Sequence, residues 1–245
     1  MQRPRIYTPE ALRTGTTQQL PESAAAHVTR VLRLAAGDPI TLFDGSGADY
    51  DAVLKVVARG SVLAEVGTAR EVGRESPLAV TLLQGVSRGP RMDTVVQKAT
   101  ELGVHAVQPV LADRSVVRLD AERAGARLAH WQRIVISACE QCGRSVLPEV
   151  LAPRTLDEAL AALAPGTAGL TLDPRGEGAL PDLLGTATRV ALAIGPEGGF
   201  TDGEIRTLTR AGFRGLRLGP RILRTETAPL AALAILQYAR GDLAS

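Results

Sequence analysis

In the larger, C-terminal part of the chain, short continuous apolar runs alternate with longer segments of helical character. Continuous runs such as Leu78–Val86 and Val190–Ile194 are typical of strands that are covered on both faces. Strands that alternate with helices predict an α/β fold, in which a parallel sheet carries helices on both faces. The predicted strands are Leu78–Val86, His105–Leu111, Val146–Leu151, Gly169–Leu172, Val190–Ile194 and Phe213–Leu218. The predicted helices are Arg91–Leu102, Ala121–Cys142, Thr155–Leu163, one that begins after Thr201 and ends at Gly212, and Pro229–Tyr238.

The first 75 residues follow a different pattern. Short predicted strands are joined there by tight turns rather than by long helices, which indicates a small antiparallel β-barrel. Glu22–Leu34 is predicted to form a short helix. The polar stretch Glu71–Pro77 contains Gly and Pro, so we expect the domain boundary there, between residues 1–75 and residues 76–245. The predicted strands of the first domain are Pro39–Phe43, Tyr50–Ala58 and Ser61–Thr68.

Two glycine-bearing turns follow the last two predicted strands. The first turn reads GPEGGF at residues 195–200, and the second reads LGPRILRTETAP at residues 218–229. Thr201 and Glu204 stand three residues apart, which predicts a capping box at the start of the intervening helix. Strand ends that lie side by side in a parallel sheet commonly form a ligand crevice. We therefore expect the two turns to lie together and to form such a crevice.

These motifs resemble those of a known family. GPEGGF and LGPRILRTETAP resemble the C-terminal signature of the SPOUT superfamily of RNA methyltransferases, and in particular the branch that methylates N3 of a uridine in 16S ribosomal RNA. SRGPRMD at residues 87–93, KATELG at 98–103 and EQCGRS at 140–145 match the same branch. In the N-terminal segment, HVTRVLRLAAGD and LFDGSG resemble the small PUA-like RNA-binding barrel of that branch.

The resemblance implies a specific fold and specific partners. It implies a C-terminal SPOUT domain with a trefoil knot, S-adenosyl-L-methionine as methyl donor, and a homodimer with the donor near its interface. The implied substrate is 16S ribosomal RNA within the small ribosomal subunit. Three loops would surround the donor, namely Asp173-Pro174-Arg175-Gly176 and the two glycine turns.

The donor makes simple physical demands on these loops. An adenine ring needs an apolar slot and a few main-chain donors and acceptors at its edge, and leucine and isoleucine side chains could form the slot. The hydroxyls of Thr225 and Thr227 could hold the polar tail of the ligand or cap the last helix, and both interpretations stay open. The candidate cofactor-binding residues are Leu172, Gly195, Glu197, Gly198, Gly199, Leu218, Gly219, Ile222, Leu223, Arg224, Thr225, Thr227 and Ala228.

The proposed chemistry also needs a way to handle a proton. Uridine N3 is protonated at neutral pH, so the site needs a proton acceptor or a cation that stabilises the uridine anion. We predict that Arg224 stabilises this anion or holds a phosphate. Glu197 is the candidate base, and its alternative role is to hold its own loop through main-chain hydrogen bonds.

Basic residues indicate where RNA could bind. The formal charge is only +2, but of the 28 basic residues only Lys55 and Lys98 are lysines. Arginine binds phosphate with a bidentate fork and stacks on bases, so the bias favours nucleic acid as a partner. For each arginine the alternative is an ordinary solvated surface position. The candidate RNA-binding residues are Arg3, Arg5, Arg30, Arg33, Arg88, Arg91, Arg144 and Arg221.

Several classes of function are disfavoured. The chain has no charged-then-apolar leader and no apolar run of about 18 residues, so we expect a cytoplasmic protein. Cys139 and Cys142 form a single C-x-x-C, which favours packing over zinc binding. His27, His105 and His130 are scattered, and no metal site is predicted. Walker and G-x-S-x-G motifs are absent.

Two alternative functions remain at this stage. Another SPOUT activity, such as ribose 2′-O-methylation of RNA, would use the same fold with a different acceptor atom. A non-catalytic RNA-binding or ribosome-assembly factor would retain the scaffold without binding the methyl donor.

Overall fold

The computed structural model describes residues 3–58, 60–115, 121–173, 176 and 185–244. The chain folds into two compact units. The first unit comprises Met1–Glu75 together with Cys139–Leu147, and the second comprises Ser76–Ala138 and Pro148–Ser245. The short segment Cys139–Leu147 therefore belongs to the first unit although it lies far along the sequence.

The first unit is built on one sheet of mixed strands. Its elements are β1 (Arg5–Tyr7), β2 (Thr17–Gln19), α1 (Glu22–Ala26), a π-helical turn (His27–Leu32), β3 (Pro39–Phe43), β4 (Ala48–Ala58) and β5 (Ser61–Glu71). The described strands lie in the order β1-β3-β4-β5-β2. β1 pairs parallel with β3, whereas the other neighbours pair antiparallel. Alternate apolar residues of these strands, including Ile40, Leu42 and Leu54, form the buried core.

The predicted helix over Glu22–Leu34 is only partly regular. The α-helical part ends at Ala26, and the chain continues as the wider π-helical turn. Arg33 ends that turn with φ 53°, in the left-handed region, and the Leu34 N–H donates to the Val28 carbonyl at 3.1 Å. The helical segment therefore ends at an arginine, one residue before its predicted end at Leu34.

The second unit is an α/β structure. Its elements are β6 (Ala79–Gly85), α2 (Pro90–Glu101), β7 (Ala106–Leu111), α3 (Ala121–Cys142, of which the last four residues belong to the first unit), β8 (Glu149–Val150), β9 (Arg154–Thr155), α4 (Leu156–Ala161), β10 (Ala168–Leu172), β11 (Arg189–Ile194), α5 (Asp202–Arg210), β12 (Arg214–Leu216) and α6 (Ala228–Arg240). The predicted α/β alternation is confirmed. The predicted strand Val146–Leu151 is reduced to β8, and Phe213–Leu218 is reduced to β12.

The described strands of this unit form a fully parallel sheet. Their order is β12-β10-β11-β6-β7-β8, and β9 also pairs with β7. One expectation is wrong in detail, because the strands that precede the two glycine turns are not direct neighbours. β10 lies between them and pairs with both. The sequence runs only show that a segment is a strand, and they do not give its place in the sheet.

Both faces of this sheet are covered, as predicted. On one face Leu83, Ala191 and Ala193 pack with Leu156 of α4 and Leu208 of α5. Neighbouring residues along a strand point to the opposite face. α6 packs against β6 and β11, and it also packs against α2. Continuous apolar strands therefore reflect burial on both sides.

Candidate functional site

A pocket of about 480 Å³ lies at the carboxyl ends of three adjacent strands, β12, β10 and β11. It combines apolar side chains with the main chain of both glycine turns. Its lining residues are Leu172, Asp173, Ile194, Gly195, Pro196, Glu197, Gly198, Gly199, Leu216, Arg217, Leu218, Gly219, Arg221, Ile222, Leu223, Arg224, Thr225 and Ala228. Of the predicted cofactor-binding residues, the structure brings together all except Thr227. Pro174 and Arg175 of the third predicted loop lie outside the described residues.

The first glycine turn is compact for steric reasons. A Cβ on Gly195 would stand 2.7 Å from the backbone N of Phe200, so only glycine fits. Gly199 has φ 67°, a left-handed conformation that side chains other than glycine rarely adopt. The predicted capping box is confirmed, because Thr201 accepts from the Glu204 N–H and the Glu204 carboxylate accepts from the Thr201 N–H. The turn is therefore fixed between β11 and a well-defined helix start.

The side chain of Thr225 joins the second turn to the first through hydrogen bonds. Its hydroxyl donates to the Gly195 carbonyl at 2.9 Å and accepts from Gln84 Nε2 at 3.2 Å. The Ser87 hydroxyl also lies 3.2 Å away. Thr225 is buried, so this network holds both turns and the end of β6 in one arrangement. Thr227 differs, since it is exposed and its side chain makes no capping hydrogen bond at the start of α6.

The end of β6 packs against the two turns that form the pocket, a contact that was not predicted from the sequence. A Cβ on Gly85 would lie 2.5 Å from Pro196, so this strand approaches the first turn as closely as glycine allows. Gln84 and Ser87 flank Gly85 and both contact Thr225. A glycine inside a predicted strand is a signal of close backbone approach that could have found this contact.

Glu197 is engaged by the segment that follows β6. Its Oε1 atom accepts from the Arg88 N–H at 3.0 Å and from Arg91 Nη1 at 2.9 Å. Arg91 Nε also lies 3.7 Å from Glu226 Oε2, on the second turn. Burial raises the pKa of Glu197, but hydrogen bonds from the Arg88 and Glu197 backbone and from the Arg91 guanidinium outweigh it. The pKa of Glu197 is therefore lowered, and the carboxylate stays ionised at neutral pH.

Three arginines line the pocket, Arg217, Arg221 and Arg224, and the two that were predicted from the sequence have their side chains available. Arg221 and Arg224 line the pocket and are exposed. Within the described part of the chain, neither guanidinium has a hydrogen-bond or ion-pair partner. The main-chain carbonyl of Arg224 accepts from the N–H groups of Thr227 and Ala228, both at 2.9 Å. The backbone of Arg224 is thus fixed while its cationic group can reach a ligand.

The other arginines predicted to bind RNA fall into two groups. Arg30, Arg33 and Arg88 are exposed, and Arg3 is half exposed although it pairs with Asp51 at 2.9 Å. Arg91 is exposed but is held by the two acidic residues named above. Arg5 and Arg144 are buried in the first unit.

The two buried arginines are committed to the protein itself. Arg5 pairs with Asp49 and donates to the Arg144 carbonyl at 3.0 Å. Arg144 Nη2 lies 2.6 Å from Glu75 Oε2. Because these guanidinium groups are buried and paired, we leave Arg5 and Arg144 out of the RNA-binding surface.

The cysteines and histidines form no second site in the part of the chain that the structure describes. Cys139 and Cys142 are free thiols, and burial raises the pKa of Cys139 to about 12, so this thiol is unreactive. Among the described residues, no group of three or more His, Cys, Asp or Glu side chains could hold a metal ion. None of the described helices is long and apolar enough to cross a bilayer.

Comparison with known proteins identifies the family. The RNA methyltransferase domain family matches residues 74–237, and the RNA methyltransferase PUA domain family matches residues 20–67. The ribosomal RNA small subunit methyltransferase E of Synechocystis is 37% identical over 230 residues, which cover 92% of this chain and 72% of that protein. This chain belongs to the ribosomal RNA small subunit methyltransferase E family. The Bacillus subtilis member is 31% identical over 247 residues, with 96% of each chain covered.

Solved structures of relatives agree with this family along the whole chain. The methyltransferase E of Neisseria gonorrhoeae, bound to S-adenosyl methionine, is 43% identical with a TM-score of 0.92, covering 99% of this chain and 100% of that one. A Legionella pneumophila methyltransferase in complex with the same cofactor is 41% identical with a TM-score of 0.95, at the same coverage. The parallel-sheet methyltransferase unit and the N-terminal PUA unit expected from the sequence are therefore confirmed.

Proposed function

We propose that this protein transfers a methyl group from S-adenosyl-L-methionine to N3 of a specific uridine in 16S ribosomal RNA. The observation that carries the proposal is the pocket itself. Three adjacent strand ends and both glycine turns converge on one cavity, in a chain whose relatives bind S-adenosyl methionine. The crevice at the carboxyl ends of parallel strands is the usual place for a ligand in such a sheet.

The residues present fit the cofactor. A volume of about 480 Å³ lies within the range of roughly 300–1,000 Å³ that is typical of small-molecule sites. Leu172, Leu218 and Leu223 supply apolar surface for an adenine ring, and Leu216 adds to it although the sequence analysis did not name it. The main chain of both turns supplies polar groups at the edge of this slot. When bound, the cofactor supplies an electrophilic methyl group on a sulfonium.

We assign to Arg224 the role of stabilising the target uridine during methyl transfer. Uridine N3 must lose its proton before or during attack, which leaves negative charge on the pyrimidine. A guanidinium held at the pocket can stabilise that charge as it develops. Arg224 lines the pocket, is exposed and has an available side chain among the described residues, so it meets these requirements.

For Glu197 the contacts favour a positioning role over that of the base. A carboxylate with a lowered pKa is a weak proton acceptor at neutral pH. Its hydrogen bonds to Arg88 and Arg91 join the first glycine turn to the start of α2. Through Arg91 it is also linked to Glu226 on the second turn. We assign Glu197 and Arg91 to the support of the cofactor loops.

The family also supports a proposal for the substrate contacts and the assembly. The proposed RNA-contacting residues are Arg221 at the pocket, Arg88 beside it in the same unit, and Arg3, Arg30 and Arg33 in the first unit. The family resemblance supports a substrate within the small ribosomal subunit, a trefoil knot in the second unit, a homodimer and a cytoplasmic location. Ile235 and Tyr238 leave apolar surface exposed on α6, which supports contact with a second copy.

A nucleoside comparison tests the proposed reaction. 16S ribosomal RNA from the parent strain and from a strain lacking this protein would be digested and analysed by mass spectrometry. We expect 3-methyluridine to disappear in the deletion strain and to return with the intact gene, but not with an Arg224→Ala gene. Loss of a ribose-methylated nucleoside instead would support 2′-O-methylation. An unchanged nucleoside profile would contradict the enzymatic function and favour a binding factor.

A further inference from the structure

The first unit contains a second, strongly basic pocket. It has a volume of about 360 Å³ and is lined by Arg3, Arg5, Thr41, Asp49, Asp51, Arg70, Val72 and Arg74. All of these residues belong to the first unit, so the pocket does not depend on its placement relative to the second. Of the four arginines, Arg70 and Arg74 stand near the predicted domain boundary, and no sequence motif drew attention to them.

The charges in this pocket do not balance. Arg5 and Asp49 form a buried pair and neutralise each other. Of the other three arginines, Arg3 and Arg70 share the carboxylate of Asp51, and Arg74 lies near only the already paired Asp49 among the acidic residues that line the pocket. Their side chains are each about half exposed, at 50% for Arg3, 54% for Arg70 and 49% for Arg74. The pocket therefore presents an excess of positive charge to solvent.

The arrangement of the guanidinium groups is fixed by the protein. Arg3 Nη1 and Arg70 Nη2 both donate to Asp51 Oδ1 at 2.9 Å, so these two nitrogens are at most twice that distance apart. Arg74 Nη1 donates to the Gly143 carbonyl at 2.7 Å and lies 3.8 Å from Asp49 Oδ2. A guanidinium has five N–H donors. Arg3 and Arg70 each use one nitrogen to donate to Asp51, so their other N–H groups remain for a ligand. Preorganised donors of this kind suit the oxygens of a phosphate group.

We propose that the pocket formed by Arg3, Arg70 and Arg74 binds a phosphate of the RNA backbone. This rests on the proposed function, since it names where the ribosomal RNA substrate contacts the first unit. The half-exposed side chains leave their free N–H groups accessible to a polynucleotide strand. A carboxylate shared by two arginines holds their forks in place, so less side-chain freedom is lost when phosphate binds.

The test is the salt dependence of RNA binding by the full-length protein. Binding of a 16S ribosomal RNA transcript would be measured over a series of potassium chloride concentrations. For Arg3→Gln/Arg70→Gln we expect about tenfold weaker binding and a slope of log K against log salt that is lower in magnitude by about 0.7–0.9, because the contact with one phosphate is lost. Arg70→Lys should fall between, since a point charge replaces the fork.

Arg13→Gln is the control for the loss of one positive charge, because Arg13 is exposed in the same unit and does not line the pocket. We expect its RNA affinity to stay within about twofold of the parent. If Arg13→Gln weakened binding as much as the double variant, or if the double variant kept the parent slope, the proposed contact with an RNA phosphate would be refuted. Calorimetry with inorganic phosphate separates the two sources of the anion. Phosphate binding that the double variant loses, with an unchanged RNA slope, would make the pocket a small-anion site and overturn the RNA assignment.

Two further readouts separate this inference from the function on which it rests. Binding of S-adenosylmethionine, whose proposed pocket lies in the second unit, should be the same in the double variant and the parent, and an unchanged thermal unfolding curve would show that the first unit is folded. If the parent protein formed no 3-methyluridine, the proposed function would fail. The salt dependence of RNA binding would still show whether the pocket of the first unit binds an RNA phosphate. If the parent formed 3-methyluridine and the slopes were equal, only the pocket assignment would fail.

Discussion

The buried arginines of the first unit and the exposed arginines at the pocket of the second unit differ in their surroundings. Arg5 is held by Asp49 and by the Arg144 carbonyl, and its guanidinium lies 4.7 Å from the ring centre of Phe43. Arg221 and Arg224 line the proposed cofactor pocket, with no side-chain partner among the described residues. The comparison shows that acidic neighbours decide what an arginine in a motif can do. Where the fold brings a carboxylate within reach, the arginine forms a structural ion pair; where it does not, the side chain stays available to a ligand. Substitutions of the buried arginines should therefore change stability, whereas substitutions of the pocket arginines should change activity.

The largest expected effect is the loss of stability when the buried pair is broken. Arg5→Met leaves the buried Asp49 carboxylate with only the more distant guanidinium of Arg74, at 3.8 Å, and removing one partner of a buried ion pair typically costs about 3–5 kcal/mol. Urea unfolding of the first unit, followed by the fluorescence of a probe placed there, would measure the change. The control Arg224→Ala should alter the free energy of unfolding by less than about 0.5 kcal/mol. Equal stability of Arg5→Met and the parent would contradict the structural role of Arg5.

The next effect concerns catalysis at the pocket. Arg224→Ala should lower kcat for 16S ribosomal RNA by about 100-fold, the scale seen when one charge-stabilising donor is removed. Binding of S-adenosylmethionine should change far less, because the main chain of Arg224 is retained. Single-turnover methyl transfer with labelled cofactor would measure the rate. Unchanged turnover would remove Arg224 from the reaction and leave it an ordinary surface residue.

A smaller effect is expected from the hydroxyl that joins the two turns. Thr225→Val keeps the shape of the side chain but removes the partner of the Gly195 carbonyl and of Gln84, at a cost of about 1–3 kcal/mol. The loops should loosen, and affinity for S-adenosylmethionine should fall. Thr209→Val is the matched control, since that exposed hydroxyl only bonds the Ile205 carbonyl within α5. Similar thermal shifts for both variants would argue against a special role of Thr225.

The smallest predicted effect is a dependence on pH at Glu197. Its pKa in the folded protein lies below the ordinary value of 4.5, so ionised Glu197 stabilises the fold above that pH. This contribution is lost as the pH falls through the lower folded-state pKa. Glu197→Gln should therefore be less stable than the parent at neutral pH, by less than about 1 kcal/mol, and the difference should vanish in acid. A loss of turnover by 100-fold or more in this variant would restore Glu197 as the general base.

The parts of the structure that depend on local sequence could be predicted. Continuous apolar runs such as Val190–Ile194 predicted the buried strands, because a strand that is covered on both faces has few polar positions. Thr201 and Glu204 gave the start of α5, because a capping box needs only residues three apart. The glycine turns gave the position of the pocket, because steric limits at Gly195 act within a few residues.

Features that depend on distant partners could not be predicted. The pairing of Arg5 with Asp49 spans 44 residues, and its contact with Arg144 spans 139. The position of β10 between β11 and β12 follows from strand order, which local periodicity does not contain. The contact of Gln84 with Thr225 likewise joins residues 141 apart. In each case the residue type was visible in the sequence, but its partner was not.

The most direct test of the account is a calorimetric titration of S-adenosylmethionine into the parent, Gly195→Ala and Gly203→Ala proteins. A Cβ at position 195 would meet the backbone of Phe200, whereas one at Gly203 would lie 3.6 Å or more from its nearest neighbours. If the glycine turns form the cofactor site, the parent and Gly203→Ala should bind with similar affinity, and Gly195→Ala should bind at least tenfold more weakly. Absence of binding by the parent, or equal binding by all three proteins, would contradict the assignment of this pocket.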